Sequence, residues 1–227
     1  MAQRTQYRVL IPQKDLAGAK TRLRAVLSAA DRHYLTLALL RRTLEVCAQL
    51  PASGGLLVSG PSELAELVAS VGATLLPGGR AGMRRDITEA ARVAASGDHA
   101  LLIVSGDMPL VNLPDLERVL AEWRAGREVV LVPDHRRRGT NVMLVDRPEA
   151  FPYAFGGALL GGSFEAHFNT AEGLDLSVAV VESPALALDL DLPADLARFL
   201  LQAPDDPLAQ FCRERAREKF LPDTPRD

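Results

Sequence analysis

Short unbroken apolar runs alternate with longer stretches of helical spacing along this chain. Residues 7–11, Tyr-Arg-Val-Leu-Ile, read as a first strand closed by Pro12. Ser28 to Asp31 resembles a capping box with Asp in place of Glu. Beyond it Leu35, Leu39, Leu40, Leu44, Val46 and Cys47 mostly fit one helical face. Residues 55–59 form a second short strand, Ser62 is expected to cap a helix reaching about Val71, and 73–76 is a third strand. A loop over 77–82 leads to a helix predicted over 86–95. The run 99–104 reads as a fully buried strand of the kind found in the middle of a parallel sheet.

The second half keeps the rhythm less regularly. Asn112 is expected to cap a helix with Pro114 in its first turn, where a missing N–H costs little. Residues 128–132 and 140–145 are predicted to pair around a basic loop. A glycine-rich stretch, 155–162, precedes a helix starting at Ser163. Strands are expected over 176–181 and 185–188, then a helix over 192–201, and a polar C-terminal helix after Ala203. The pattern predicts an α/β fold: a single domain over residues 1–203 with a mixed, mainly parallel open sheet, plus a helical appendage over 204–227. There is no internal repeat or linker. Ligands of such sheets sit at the carboxyl ends of the strands, so the loops after Ile11, Val104 and Leu188 matter most.

Composition narrows the partners. The 227 residues carry 26 basic and 29 acidic side chains, net −3, and a pI near 5.9 argues against a dedicated nucleic-acid binder. No apolar run approaches the roughly 18 residues that span a bilayer. The first six residues run straight into a strand without a signal-peptide core, so a cytoplasmic protein is expected. Cys47 and Cys212 have no metal-type spacing and are expected to be buried thiols. Lysine occurs only at Lys14, Lys20 and Lys219, against 23 arginines. Two of the three lysines therefore fall in one loop.

That loop, 11–23, leaves the first strand with Lys14, Lys20 and Arg22, and Arg24 follows. Cations at a strand's carboxyl end suit a polyphosphate, although the P-loop pattern is absent. Asp107 follows the buried strand in Ser105-Gly106-Asp107-Met108-Pro109. Asp189 and Asp191 stand at i and i+2, so on a strand their carboxylates share a face. With Asp107 they would make an oxygen site suited to Mg²⁺ or Mn²⁺. Asp191-Leu192-Pro193 also reads as a helix N-cap, and both roles can hold together. Arg136-Arg137-Arg138 before Thr140 and Asn141 would clamp anionic oxygens or form a charged hairpin tip. Gly161-Gly162-Ser163 opens a helix whose free N–H groups suit an anion, with His167 one turn in.

In order, these motifs resemble the guanylyltransferases that activate 2-phospho-L-lactate or phosphoenolpyruvate in biosynthesis of coenzyme F-420. The matching pieces are residues 11–23, Asp107-Met108-Pro109-Leu110, Gly139-Thr140-Asn141, Ser163-Phe164 with His167, and Leu188-Asp189-Leu190-Asp191 with Pro193 and Asp195. The resemblance implies a nucleotide-diphosphosugar-transferase-like (Rossmann-like) fold and Mg²⁺-dependent transfer of GMP from GTP. It further implies metal on Asp107, Asp189 and Asp191, and Lys14, Lys20 and Arg22 around the triphosphate. Thr140, Asn141, Ser163 and either Gly156 or Gly162 would meet a small phosphorylated acid.

Two departures bear on specificity. Ile87-Thr88 stands where the family carries Leu-Asn, and a Gly-Ala-Leu-Leu segment separates Phe155-Gly156 from Ser163. Phosphoenolpyruvate, 2-phospholactate and 3-phosphoglycerate all remain open as the acid, and the assembly as monomer or homodimer. Two alternatives stand beside this reading. One is a molybdopterin or sugar-phosphate nucleotidyltransferase, disfavoured because Ile-Pro-Gln-Lys replaces that group's glycine-rich loop. The other is a non-catalytic nucleotide-binding regulator, which has no need of three carboxylates at strand ends.

Overall fold

The structure is a computed structural model and describes residues 3–220 apart from 15, 17, 53, 80, 81 and 156–161. Its elements run β1 (Tyr7–Pro12), α1 (Ala29–Cys47), β2 (Leu56–Gly60), α2 (Ala65–Ala69), β3 (Thr74–Pro77), α3 (Met83–Ser96) and β4 (Ala100–Val104). There follow α4 (Leu113–Arg124), β5 (Val129–Pro133), β6 (Thr140–Val145), α5 (Ser163–Gly173), β7 (Val178–Val180), α6 (Pro193–Gln202) and α7 (Pro207–Phe220). The described strands make one seven-stranded sheet in the order β3-β2-β1-β4-β6-β5-β7. Only β6 runs against its neighbours; the other pairings are parallel. The mixed, mainly parallel sheet read from the sequence is the one observed.

Strand periodicity sorts the core into two layers. Val9, Ile11, Leu102, Val104, Val142 and Leu144 point to one face and pack on α1, α2 and α4. Leu10, Leu101, Ile103, Met143 and Val145 point to the other, where α3 and α5 cover them. A third cluster lies beside the sheet. Leu188 and Leu190 insert among Leu35 and Leu39 of α1, Leu196 and Phe199 of α6, and Leu208 and Cys212 of α7. Burying each leucine there stabilises by about 2 kcal/mol. Helix α7, read as an appendage, packs on α1 and α6.

Local chemistry explains the element ends. Ser28 accepts the Asp31 N–H at 3.1 Å while Asp31 accepts the Ser28 N–H at 3.2 Å, the expected reciprocal cap. Asn112 accepts the Asp115 N–H, as expected, with Pro114 in the first turn. Cys47 and Cys212 are free and buried.

Four expectations need correction. Ser62 caps nothing; Pro61 precedes a 3₁₀ turn, Ser62–Leu64, that draws Leu64 into the core. The strand expected over 176–181 shrinks to Val178–Val180. Residues 185–187 form a turn rather than a strand. There Ser183 accepts the Leu186 N–H through its hydroxyl and the Ala187 N–H through its carbonyl, just where Pro184 cannot extend a ladder. The N-cap of α6 is Leu192, not Asp191. Asp195, buried in the first turn, accepts the N–H groups of Leu192 at 2.8 Å and Asp191 at 3.3 Å, which leaves the Asp191 carboxylate free for other work.

Candidate active site

A cleft of about 630 Å³ opens at the carboxyl ends of β1 and β4, the place where parallel sheets bind ligands. The loop after β1 supplies Gln13, Lys14, Gly18, Lys20 and Arg22. The turn after β4 supplies Ser105, Gly106 and Asp107, and Asp191 closes one side. Gly79, Gly82 and Met83 bound the cleft from the approach to α3, and Thr36 from α1. Glycine was the only sequence signal for that wall: Gly79 and Gly82 have φ of 88° and 96°, which side chains rarely adopt. The Ile87-Thr88 pair is turned elsewhere. Ile87 is fully buried in the core and Thr88 hydrogen-bonds back to the Arg84 carbonyl.

The three aspartates converge. Asp107, Asp189 and Asp191 each offer a carboxylate oxygen within 4.8 Å of the others'. Asp189 and Asp191 share a face, although not on a strand. Leu188 and Leu190 point into the third cluster and throw the intervening carboxylates outward, as any extended chain does. The Leu190 N–H, bonded to the Asp107 carbonyl at 3.2 Å, ties the two segments together. Burial, with the charges of Asp107, Asp191 and Asp134, pushes the Asp189 carboxyl up to about 7. Its Oδ1 is buried without a hydrogen-bond partner.

Lys20 answers part of that charge. Its ammonium, 5 % exposed, lies 2.9 Å from Asp107 Oδ2 and 3.3 Å from Asp191 Oδ1. Burial alone would lower the Lys20 pKa, but the two carboxylates raise it above the usual lysine value. Burial would likewise raise Asp107; Lys20, the Ser105 hydroxyl and Lys14 hold it below the usual carboxylate range. Lys20 reaches this position through left-handed backbone, φ 55°, which an ordinary side chain adopts only when its surroundings impose it. Arg22 stands 3.8 Å from Asp191 and is mostly exposed, and Lys14 lines the mouth.

An orphaned buried carboxylate oxygen, three hard oxygen donors and a lysine ammonium already between two of them together fit a divalent cation.

Beside this cleft the start of β6 meets the start of α5. The Asn141 carbonyl accepts the Ser105 N–H at 2.8 Å, so β6 begins next to the turn that carries Asp107. The Asn141 side chain donates to the Leu186 carbonyl, anchoring the segment that bears Asp189. The Thr140 N–H donates to Ser163 Oγ at 3.0 Å. Gly162 precedes α5 with φ 95° and ψ 178°, and the Phe164 N–H is taken by the Arg138 carbonyl. Gly156 lies outside the described residues. The three arginines do not act as one clamp. Arg136 pairs with buried Asp195, and Arg137 pairs with Glu182 and covers the Phe164 ring, 4.9 Å away.

His167 is fully buried, with Nδ1 3.0 Å from Thr140 Oγ1 and Nε2 accepting the Ala154 N–H at 2.9 Å. A hydroxyl beside an imidazole resembles a nucleophile with its base. The Ala154 contact excludes that role, because a backbone N–H only donates; Nε2 is bare and Nδ1 carries the proton. Burial lowers the His167 pKa to about 4. The histidine therefore contributes stability that is complete above the unfolded value near 6.5 and is lost as pH falls through about 4. The expected loss is roughly 3 kcal/mol. Denaturant unfolding measured from pH 7 to pH 4 checks it, since His167→Asn should flatten that part of the profile.

Comparisons with known proteins point to one family. Residues 7–217 match a family model described as guanylyl transferase, CofC-like. A phosphoenolpyruvate guanylyltransferase from Rubrobacter xylanophilus is 37% identical over 191 residues, covering 84% of this chain and 91% of that protein. A 3-phospho-D-glycerate guanylyltransferase from Colwellia psychrerythraea is 32% identical, covering 85% and 90%. Among solved structures, a protein from Desulfovibrio desulfuricans G20 described as a nucleotide-diphospho-sugar transferase superposes with a TM-score of 0.73. It is 16% identical and covers 94% of this chain and 97% of that one. That likeness concerns the fold.

Proposed function

The chain belongs to the CofC-like guanylyl transferase family, and from that premise we propose that it transfers GMP from GTP to the phosphate of a small phosphorylated acid. The reaction releases pyrophosphate, depends on Mg²⁺ or Mn²⁺, and serves coenzyme F-420 biosynthesis. Phosphoenolpyruvate is the acid placed first, ahead of 2-phospho-L-lactate and 3-phosphoglycerate. The observation that carries the reading is the meeting, in one cleft, of the Lys14–Arg22 loop with Asp107 and Asp191, whose carboxylates Asp189 joins.

The chemistry needs no nucleophile from the protein. A phosphate monoester, with a second pKa of about 6, is already dianionic at neutral pH. One of its oxygens forms a bond to the α-phosphorus of GTP. The bond from that phosphorus to the α–β bridging oxygen breaks, and pyrophosphate leaves with the electron pair. What remains is alignment and charge relief. Lys14, Lys20 and Arg22 stand where the triphosphate enters and stabilise charge on the departing pyrophosphate. Thr140 and Ser163 orient the acid beside the Asp107 turn. Asp107, Asp189 and Asp191 would hold a divalent cation, which would supply neutralisation of the crowded phosphate oxygens.

The test is a matrix of four nucleoside triphosphates against the three acids, read by pyrophosphate release with and without EDTA. GTP with phosphoenolpyruvate is expected to give the strongest, EDTA-sensitive signal. Release only with CTP, or with none of the three acids but with a sugar phosphate added as a further acceptor, would overturn the substrate assignment. Nucleotide binding without any release would make the chain a regulator.

A further inference from the structure

We propose that His167 is a positioning residue that, by donating to Thr140 Oγ1, turns the Thr140 proton outward as a hydrogen-bond donor, so that the acid site formed with Ser163 favours anionic oxygens. The inference rests on the reading above that Thr140 and Ser163 orient the acid, and it adds what makes them do so.

It follows from counting donors and lone pairs. The Ala154 N–H occupies Nε2 of His167, which fixes the proton on Nδ1. That proton can go only to Thr140 Oγ1, 3.0 Å away, since the ring is fully buried. The Phe155 ring packs 4.5 Å from the imidazole and Phe151 6.1 Å, and an apolar cage of that kind keeps the ring neutral. Ser163 Oγ lies 3.4 Å from Thr140 Oγ1 on its other side and itself accepts the Thr140 N–H. Both lone pairs of Thr140 Oγ1 are therefore faced by donors, and its own proton must point away from the histidine. An acid oxygen beside the two hydroxyls therefore meets the O–H of Thr140. A carboxylate or phosphate oxygen satisfies such a surface; a hydroxyl or amide donor is left unpaired there, which is how polar sites reject close analogues.

Two conservative variants separate the roles of the two ring nitrogens. His167→Asn keeps a donor where Nδ1 stands, and His167→Gln keeps an acceptor where Nε2 stands. The expected result is that His167→Gln raises the KM for the acid by about ten- to a hundredfold, the worth of a hydrogen bond to a charged group. The KM for GTP should stay unchanged, and His167→Asn should hold the acid KM near the native value. Thr140→Val should raise the acid KM by itself, and adding His167→Gln to it should change nothing more. If Thr140→Val leaves the acid KM alone, the underlying acid site is wrong. If Thr140→Val raises it but the Asn and Gln variants behave alike, only the role of His167 is overturned. Nitrogen-15 shifts of the His167 ring in the unmodified protein give an answer that does not depend on variants folding. The Nδ1–H tautomer is expected, and an Nε2–H tautomer would end the proposal.

Discussion

Asp189→Asn is expected to lower turnover by at least about a thousandfold while making the metal-free protein harder to melt. The two effects have one cause. Asp189 is pushed against Asp107 and Asp191 in a partly buried setting, and its Oδ1 has no partner. Ionising it there is unfavourable, and Lys20 reaches only the other two carboxylates. With a divalent cation the same crowding becomes a ligand set, and losing a ligand removes several kcal/mol of charge stabilisation, hence the size of the rate loss. Without the cation, the neutral amide relieves repulsion. After discounting for solvent, roughly 2 kcal/mol is recovered, or about 4–8 °C in melting temperature for a chain of this size. Because burial and the neighbouring carboxylates raise this carboxyl from 3.8 to about 7 on folding, its penalty is full at pH 8, fades as pH falls below about 7, and is gone only below the unfolded value. Melting in EDTA at pH 8, 5 and 4 is the check, with the gain largest at pH 8, reduced at pH 5 and gone near pH 4. Near-native turnover in this variant would sink the metal assignment.

Gly162→Ala should cost both stability and acid binding. With φ 95° and ψ 178°, Gly162 occupies a region that is essentially glycine-only. An added Cβ would stand 2.8 Å from the Arg138 carbonyl carbon, 3.0 Å from its Cα, and closer still to its oxygen. Nothing there yields cheaply, because the obstacle is backbone and the same carbonyl holds the Phe164 N–H. Strain and overlap together suggest a loss of about 2–4 kcal/mol. The start of α5 would shift, taking Ser163 away from the Thr140 N–H. Urea denaturation should show a lowered midpoint with an unchanged slope. Steady-state kinetics should show a raised KM for the acid and an ordinary KM for GTP.

The fold was legible because its strands are short apolar runs and its caps are written in local chemistry, as at Ser28 and Asn112. The site was legible in its cations and carboxylates, whose residue types announce charge. What stayed hidden depends on contacts distant in sequence. Residues 185–188 have strand-like composition, yet the Ser183 hydroxyl and Pro184 fold them into a turn that Asn141 anchors from 45 residues away. The cap of α6 moved because Asp195 reaches back to two N–H groups at once. Arg136 and Arg137 read as free charge, since nothing local reveals Asp195 or Glu182 as partners. The tautomer of His167 depends on Ala154, whose N–H carries no signal in sequence at all.

The reversal of β6 has a consequence for how such a protein can diversify. Because that strand runs backward, its first residues rather than its last reach the cleft, and they arrive with the hairpin that joins β5 to β6. On the proposed reading, most of the nucleotide side comes from chain preceding residue 108 and the acid side from chain following residue 133, while Asp189 and Asp191 are later residues that the nucleotide side also needs. A change of acid can then be tried by mutation in the later stretch, provided Asp189 and Asp191 are kept. A clan built this way is free to keep one donor and explore many acceptors.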